Sequence, residues 1–227
     1  MNAQDFKENY PQFQAPQQGQ GLFISFEGIE GSGKSTQIQI LSQYLNEQGY
    51  QTSVLREPGG TIFGEKLRDA ILSSKESLSA LAEAHLFASA RAQLLHEKII
   101  PKLKDPKNVI LLDRYIDSSF AYQGVARGLG INEILRIHHT YPLCLFPHTT
   151  FYLAISPEDS LKRQEARGQE RDYFESEKFQ FTQKLFEGFE KCSEVFNQRI
   201  VKIDGNQTRE DVSKQIKKTL SNRNLTP

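Results

Sequence analysis

At 227 residues the chain can bury one good hydrophobic core with a small appendage, and a 37% hydrophobic, 25% charged composition excludes a disordered or fibrous protein. Lys plus Arg (28) cancels Asp plus Glu (28), so no global field favours nucleic acid or a membrane surface, and any bound anion must be gripped by local clusters. No segment approaches the ~20 apolar residues of a membrane span, and no basic stretch followed by an apolar core suggests a secretory signal. Two cysteines, Cys144 and Cys192, lie without metal-ligand spacing and are expected to be reduced packing thiols of a cytoplasmic protein.

In chain order, Met1–Gln20 is rich in Gln with scattered Pro and is expected to be a disordered extension. Residues 21–227 are expected to form a single domain. The apolar run Leu22–Phe26 ends in glycines and suits a buried strand. Lys34–Gln48 carries Ile38, Leu41 and Leu45 at helical spacing, with Gly49 as the stop. Thr52–Leu55 is a second strand closed by Pro58-Gly59-Gly60. Helices are expected at Phe63–Leu72 and Leu78–Lys102, and an uninterrupted apolar strand at Val109–Leu112. Helical patches follow at Ser118–Arg127 and Asn132–Thr140, then a strand at Thr150–Ala154 and a helix opening near Pro157, with Glu158 and Asp159 in its first turn. A polar run, Arg163–Glu177, precedes an amphipathic helix through Phe179, Phe186, Phe189 and Phe196. Ile200–Ile203 is the last strand and Arg209–Leu220 the last helix. This alternation predicts an α/β fold, an open five-stranded parallel sheet with helices on both faces.

Gly28-Ile29-Glu30-Gly31-Ser32-Gly33-Lys34-Ser35 fits G-x-x-x-x-G-K-[S/T], with a strand before it and a helix after. Glycines let backbone N–H groups turn inward around phosphate without Cβ clashes, and the helix start points its positive end at the anion. Lys34 is expected to span the β- and γ-phosphates of ATP, and the Ser35 hydroxyl to ligate Mg²⁺; Thr36 completes the ATP-binding stretch. Glu30 faces either solvent or a substrate hydroxyl or metal-bound water.

Arg56 and Asp113-Arg114 each follow a strand, and ligands of open α/β sheets bind at the carboxyl ends of strands. Arg56 is either a surface ion pair or a bidentate phosphate clamp. Asp113 either carries Mg²⁺ or orients Arg114 by a salt bridge. Arg163, Arg167 and Arg171 recur every four residues around Gly168, either as a solvated face or as cations of a mobile lid at about 163–177.

Phe26–Gly31, Arg56–Thr61 and Leu111-Leu112-Asp113-Arg114-Tyr115-Ile116-Asp117-Ser118-Ser119-Phe120-Ala121-Tyr122-Gln123 together resemble the thymidylate (dTMP) kinase family, in order, from about Leu22 to the last helix. The resemblance implies phosphorylation of dTMP to dTDP by ATP, with Mg²⁺, in a cytoplasmic homodimer that takes no nucleic acid or membrane partner. It implies Phe87 stacked on thymine, Arg91 on the carbonyl edge of the base, and Arg56 with Arg114 on the dTMP phosphate. Glu30 would meet the sugar 3′-hydroxyl, Ser119 and Gln123 would line the base pocket, and Tyr122 would crowd the 2′ position. Arg167 and Arg171 would act at the transferred phosphoryl, although Arg171-Asp172 reverses the family's usual order. Without the resemblance, Phe87 is more often a plain core residue, and the rival readings of the chain are a kinase for another nucleoside or nucleotide and a non-catalytic P-loop switch.

Overall fold

A computed structural model describes residues 2–17, 19–73, 78–166 and 175–223. The chain runs α1 (Ala3–Asn9), β1 (Leu22–Glu27), α2 (Lys34–Glu47), β2 (Gln51–Arg56), α3 (Ile62–Ser73) and α4 (Ala80–Leu94). A wider-wound turn at Leu95–Ile99 carries α4 into α5 (Ile100–Leu103), followed by β3 (Asn108–Asp113) and α6 (Ile116–Ser119). A second wide turn, Phe120–Ala126, leads to α7 (Ile131–Ile137), β4 (Thr149–Ala154), α8 (Pro157–Glu165), α9 (Glu175–Val195), β5 (Ile200–Asp204) and α10 (Arg209–Asn222). The expected strands and helices are all found in order, as the alternation of apolar runs and amphipathic stretches requires.

The five strands are all parallel in the order β2-β3-β1-β4-β5. Strand β1 sits at the centre, entirely buried, and its side chains alternate between faces. Leu22, Ile24 and Phe26 meet Ile38, Leu41 and Leu45 of α2 and Val212, Ile216 and Leu220 of α10. Phe23 joins the opposite core, with Tyr115, Phe120, Phe189 and Phe196. The same alternation sends Glu27, the last residue of β1, to the face where the segment after β3 begins. The chain reverses between β1 and its two neighbours, so the crevice at the carboxyl ends of β1 and β3 is where a ligand should bind.

Residues 2–17 depart from the disorder expected of Met1–Gln20. Asn2 caps α1, accepting from the N–H groups of Gln4 and Asp5 while Asp5 accepts from the Asn2 N–H. Phe6 meets Phe196 edge-on at 4.9 Å, and Phe13 lies 5.0 Å from Phe146. Gln14 bridges to Leu145 in parallel, its carbonyl accepting from the Phe146 N–H at 2.9 Å. Aromatic rings, not glutamines, decide the matter: Phe6 on α1, with Tyr10 and Phe13 just beyond its end, pack together and against Phe146 and Phe196, and bury enough apolar surface to order a polar segment.

Candidate active site

The loop after β1 has glycines at φ values that side chains avoid: Gly28 (140°), Gly31 (79°) and Gly33 (95°). A Cβ at Gly28 would lie 2.6 Å from the Leu153 carbonyl and 2.8 Å from Ser32 Oγ. Gly33 precedes α2 without any side-chain cap, so the first N–H groups of a 14-residue helix remain turned to the loop. Lys34 Nζ curls back onto the Gly28 carbonyl (2.9 Å) and the Ile29 carbonyl (3.3 Å). Burial, then the neighbouring Arg114, push its pKa down to about 7, against the pull of Asp113, Glu27 and Glu30. Ser32 Oγ is buried with no hydrogen-bond partner among the described residues. Donors turned inward, a cation held back and an orphaned hydroxyl fit a phosphate chain.

Ser35 Oγ donates to Asp113 Oδ2 at 3.1 Å, so the predicted hydroxyl and carboxylate stand side by side. Among the described residues no group of three or more His, Cys, Asp or Glu could hold a metal by itself. The pair suits Mg²⁺, which keeps several waters and shares its shell with substrate phosphates.

Asp113 also lines a cavity of about 410 Å³ whose wall includes Arg56, Phe87, Arg91, Arg114, Ser119, Tyr122 and Gln123. The acceptor-side residues named from sequence, Glu30 apart, are therefore brought together. Phe87 is half-buried on the cavity wall rather than in either core. Arg56 is exposed and paired with Glu65 at 2.8 Å, the surface ion pair, and it also stands on the cavity wall. Arg114 leaves β3 at a left-handed φ of 68°, its guanidinium 5.4 Å from the centre of the Tyr122 ring and its Nη1 3.2 Å from Ser118 Oγ. No hydrogen bond or ion pair between Asp113 and Arg114 supports the orienting alternative for Asp113. Glu30 is exposed, its charge felt by Lys34 and Arg114.

Arg91, 2% exposed, is pinned on three sides. Nε and Nη2 contact Glu57 Oε2 at 2.8 and 2.6 Å, and Nη1 reaches Ser119 Oγ at 3.1 Å and His138 Nε2 at 2.7 Å. Arginine has no acceptor, so His138 Nε2 accepts and Nδ1–H donates to the Ile134 carbonyl at 2.8 Å. Burial, then Arg91, lower the His138 pKa to about 3, which keeps it in that neutral form. Glu57 Oε1 is buried without a partner among the described residues, and burial raises that carboxyl's pKa against the pull of Arg91. Gln123 donates to Glu83 Oε1 at 2.7 Å. Sequence reading missed Glu57, His138 and Glu83; all three act across 34 or more residues, where no local pattern can link them.

Arg163 corrects the lid expectation. It lies in α8 and grips the back of the phosphate loop, donating to the carbonyls of Gly31 (3.1 Å) and Gly205 (3.0 Å) and to Asn206 Oδ1 (3.0 Å). A Cβ at Gly31 would press on it at 3.3 Å. Arg167 and Arg171 lie outside the described residues.

Residues 26–216 match the family model described as thymidylate kinase. The chain is 47% identical over 196 residues to the thymidylate kinase of Thermoanaerobacter sp. (strain X514), covering 86% of this chain and 95% of that one. With the thymidylate kinase of Acholeplasma laidlawii it shares 45% identity over 189 residues, covering 82% and 92%. The crystal structure of thymidylate kinase from Ehrlichia chaffeensis superposes with a TM-score of 0.70 at 26% identity, over 88% of this chain and 98% of that one. With cradle, cavity and fold agreeing with these likenesses, the chain belongs to the thymidylate kinase family.

Proposed function

We infer that the chain passes the γ-phosphoryl group of ATP to dTMP, giving dTDP and ADP, and that the cavity beside the phosphate loop holds the acceptor. One observation carries this reading: three guanidinium groups, Arg56, Arg91 and Arg114, line a single cavity that also contains Asp113, the partner of Ser35. An acceptor phosphate with a second pKa near ~6 is already mostly ionised at neutral pH, so the reaction needs no general base. Its obstacle is repulsion, about 4 kcal/mol for each pair of unit charges at 4 Å and an effective dielectric of 20. Lys34 offsets it on the donor side and Arg56 with Arg114 on the acceptor side. Mg²⁺, held by Ser35 and Asp113, would supply further charge neutralisation to the ATP phosphates.

Phe87 stacks on the base. Arg91 spends four of its five donors on Glu57, Ser119 and His138, leaving one Nη2 hydrogen for a carbonyl of the ring. A donor fixed in this way favours thymine over cytosine, whose corresponding edge carries an amino group. Tyr122 crowds the sugar's 2′ position, Ser119 and Gln123 close the base pocket, and Glu30 meets the 3′-hydroxyl. Arg167 and Arg171 act at the transferred phosphoryl. Residues 21–227 work as one kinase unit, in the cytoplasm and as a homodimer. Support comes from two free buried thiols and from Ile62, Phe63 and Leu81, which are exposed on the packed pair α3 and α4.

The test is ADP release with dTMP, dUMP, dCMP and dGMP offered separately. Turnover should be fastest with dTMP. The thymine methyl contributes only about 0.8 kcal/mol by burial, so dUMP should follow within roughly a few-fold. Equal rates with dGMP, or ADP release independent of any acceptor, would refute the reading.

A further inference from the structure

Glu27 has no part in the chemistry described so far, yet it is a buried carboxylate at the centre of the sheet's carboxyl end. Among the described residues, its side-chain hydrogen bonds all go to the segment that carries Arg114. Oε1 accepts from the N–H of Tyr115 (2.7 Å) and of Ser118 (3.1 Å), and Oε2 accepts from Ser118 Oγ (2.7 Å). Ser118 Oγ in turn accepts from Arg114 Nη1 at 3.2 Å. Tyr115, the residue before α6, gives that helix no side-chain cap, so a residue 88 positions earlier supplies the missing acceptor.

Arg114 itself is strained. A non-glycine residue at φ 68° is strained and persists only where its surroundings over-determine it. Its N–H is tied to the Phe26 carbonyl at 3.0 Å, and the next N–H is tied to Glu27. A neutral Ser or Asn could cap a short helix without the cost of burying a charge. Burial, then Asp117, push the Glu27 pKa up to about 7 against the pull of Arg114, Ser118 and the Tyr115 N–H. In its ionised form Glu27 adds what Ser and Asn cannot: acceptors only, so the Ser118 hydroxyl points its hydrogen at Glu27 and its lone pair at the guanidinium.

We propose that Glu27 is a positioning residue for the acceptor clamp, its carboxylate acting through Ser118 Oγ to fix the Arg114 guanidinium in the dTMP cavity. This rests on the reading that Arg114 grips the acceptor phosphate. Glutamine at position 27 presents an amide N–H₂ to one set of donors. Either the backbone N–H groups lose their acceptor, or Ser118 turns to accept from the amide and releases Arg114.

Steady-state kinetics of Glu27→Gln, Ser118→Ala, the double variant and Arg114→Ala decide the matter. Glu27→Gln and Ser118→Ala should each raise the KM for dTMP about tenfold while the KM for ATP stays within about twofold. The double variant should be no worse than Glu27→Gln alone, because both changes interrupt one relay. Arg114→Ala should raise the dTMP KM about a hundredfold. If only Arg114→Ala affects dTMP, the relay is refuted and the clamp stands; if Arg114→Ala is silent, clamp and relay both fall. Equal rises in both KM values for Glu27→Gln would mark a general loss of structure and refute the positioning role. Should Glu27→Gln not fold, Ser118→Ala decides alone, since it breaks the relay and leaves the backbone N–H bonds to Glu27 in place.

Discussion

The Arg91 guanidinium is held rigid by groups from three separate segments, and its neighbours make it sensitive to substitution and to acid. Arg91→Lys keeps the charge but replaces a planar fork of five donors with three donors at one point, which cannot serve Glu57, Ser119, His138 and a base together. Losing one charge-assisted hydrogen bond, about 1.5–3 kcal/mol, should lower kcat/KM for dTMP by roughly ten- to a hundredfold in the ADP-release assay. His138 gives a pH signature. Its folded pKa of about 3 lies below the ordinary histidine value of 6.5, so the unfolded chain binds more protons and stability is lost as pH falls from about 6.5 toward 3. Thermal melts of His138→Gln should show a shallower decline across that window; an unchanged slope would remove His138 as its cause. Phe87 and Arg91 were legible in the sequence because a spacing of four and a family likeness coincide. His138, beside an ordinary His139, was not, since only folding sets it against a residue 47 positions away.

At the scale of elements, α9 packs directly onto the wide turn Phe120–Ala126 that forms one wall of the cavity. Gly188 permits the approach: a Cβ there would lie 2.8 Å from Ala121 Cα and 3.0 Å from its carbonyl oxygen. Alanine is favoured over glycine inside a helix by about 0.8–1 kcal/mol, but backbone atoms cannot move aside cheaply and overpacking costs about 1–3 kcal/mol. The clash should win. Gly188→Ala should melt several degrees lower and raise the dTMP KM, because Phe189 next to it touches both Tyr152 and Tyr122. A melt at or above the unaltered protein's temperature would show that α9 shifts without cost. The strands and helices themselves could be read from periodicity to within a few residues, since burial on two faces dictates the pattern. Which glycine marks a close helix contact could not, because the partner surface is absent from the sequence. Arg163 shows the same limit: its four-residue spacing with Arg167 pointed to a lid, while the fold turns it toward the phosphate loop.

For the whole molecule, residues 2–17 are part of the architecture. Their rings cover Phe146 and Phe196, and those two rings face the Arg199 guanidinium at 4.4 and 5.3 Å. Arg199 completes a buried bidentate pair with Asp117 (2.6 and 2.8 Å), and Asp117 adjoins Ser118. Composition pointed to disorder here because glutamines outnumber aromatic residues; the spacing of Phe6, Tyr10 and Phe13 was the overlooked signal. Phe13→Ala removes a buried ring worth up to about 3–5 kcal/mol, limited by the free energy with which the segment docks. Docking also governs how the chain meets a protease. Lys7 is exposed as a side chain, yet its peptide bond lies inside α1, and trypsin needs an extended substrate. Scission after Lys7 therefore counts moments when the strap swings free, and Phe13→Ala should hasten the nick by at least an order of magnitude while the body of the protein stays uncut.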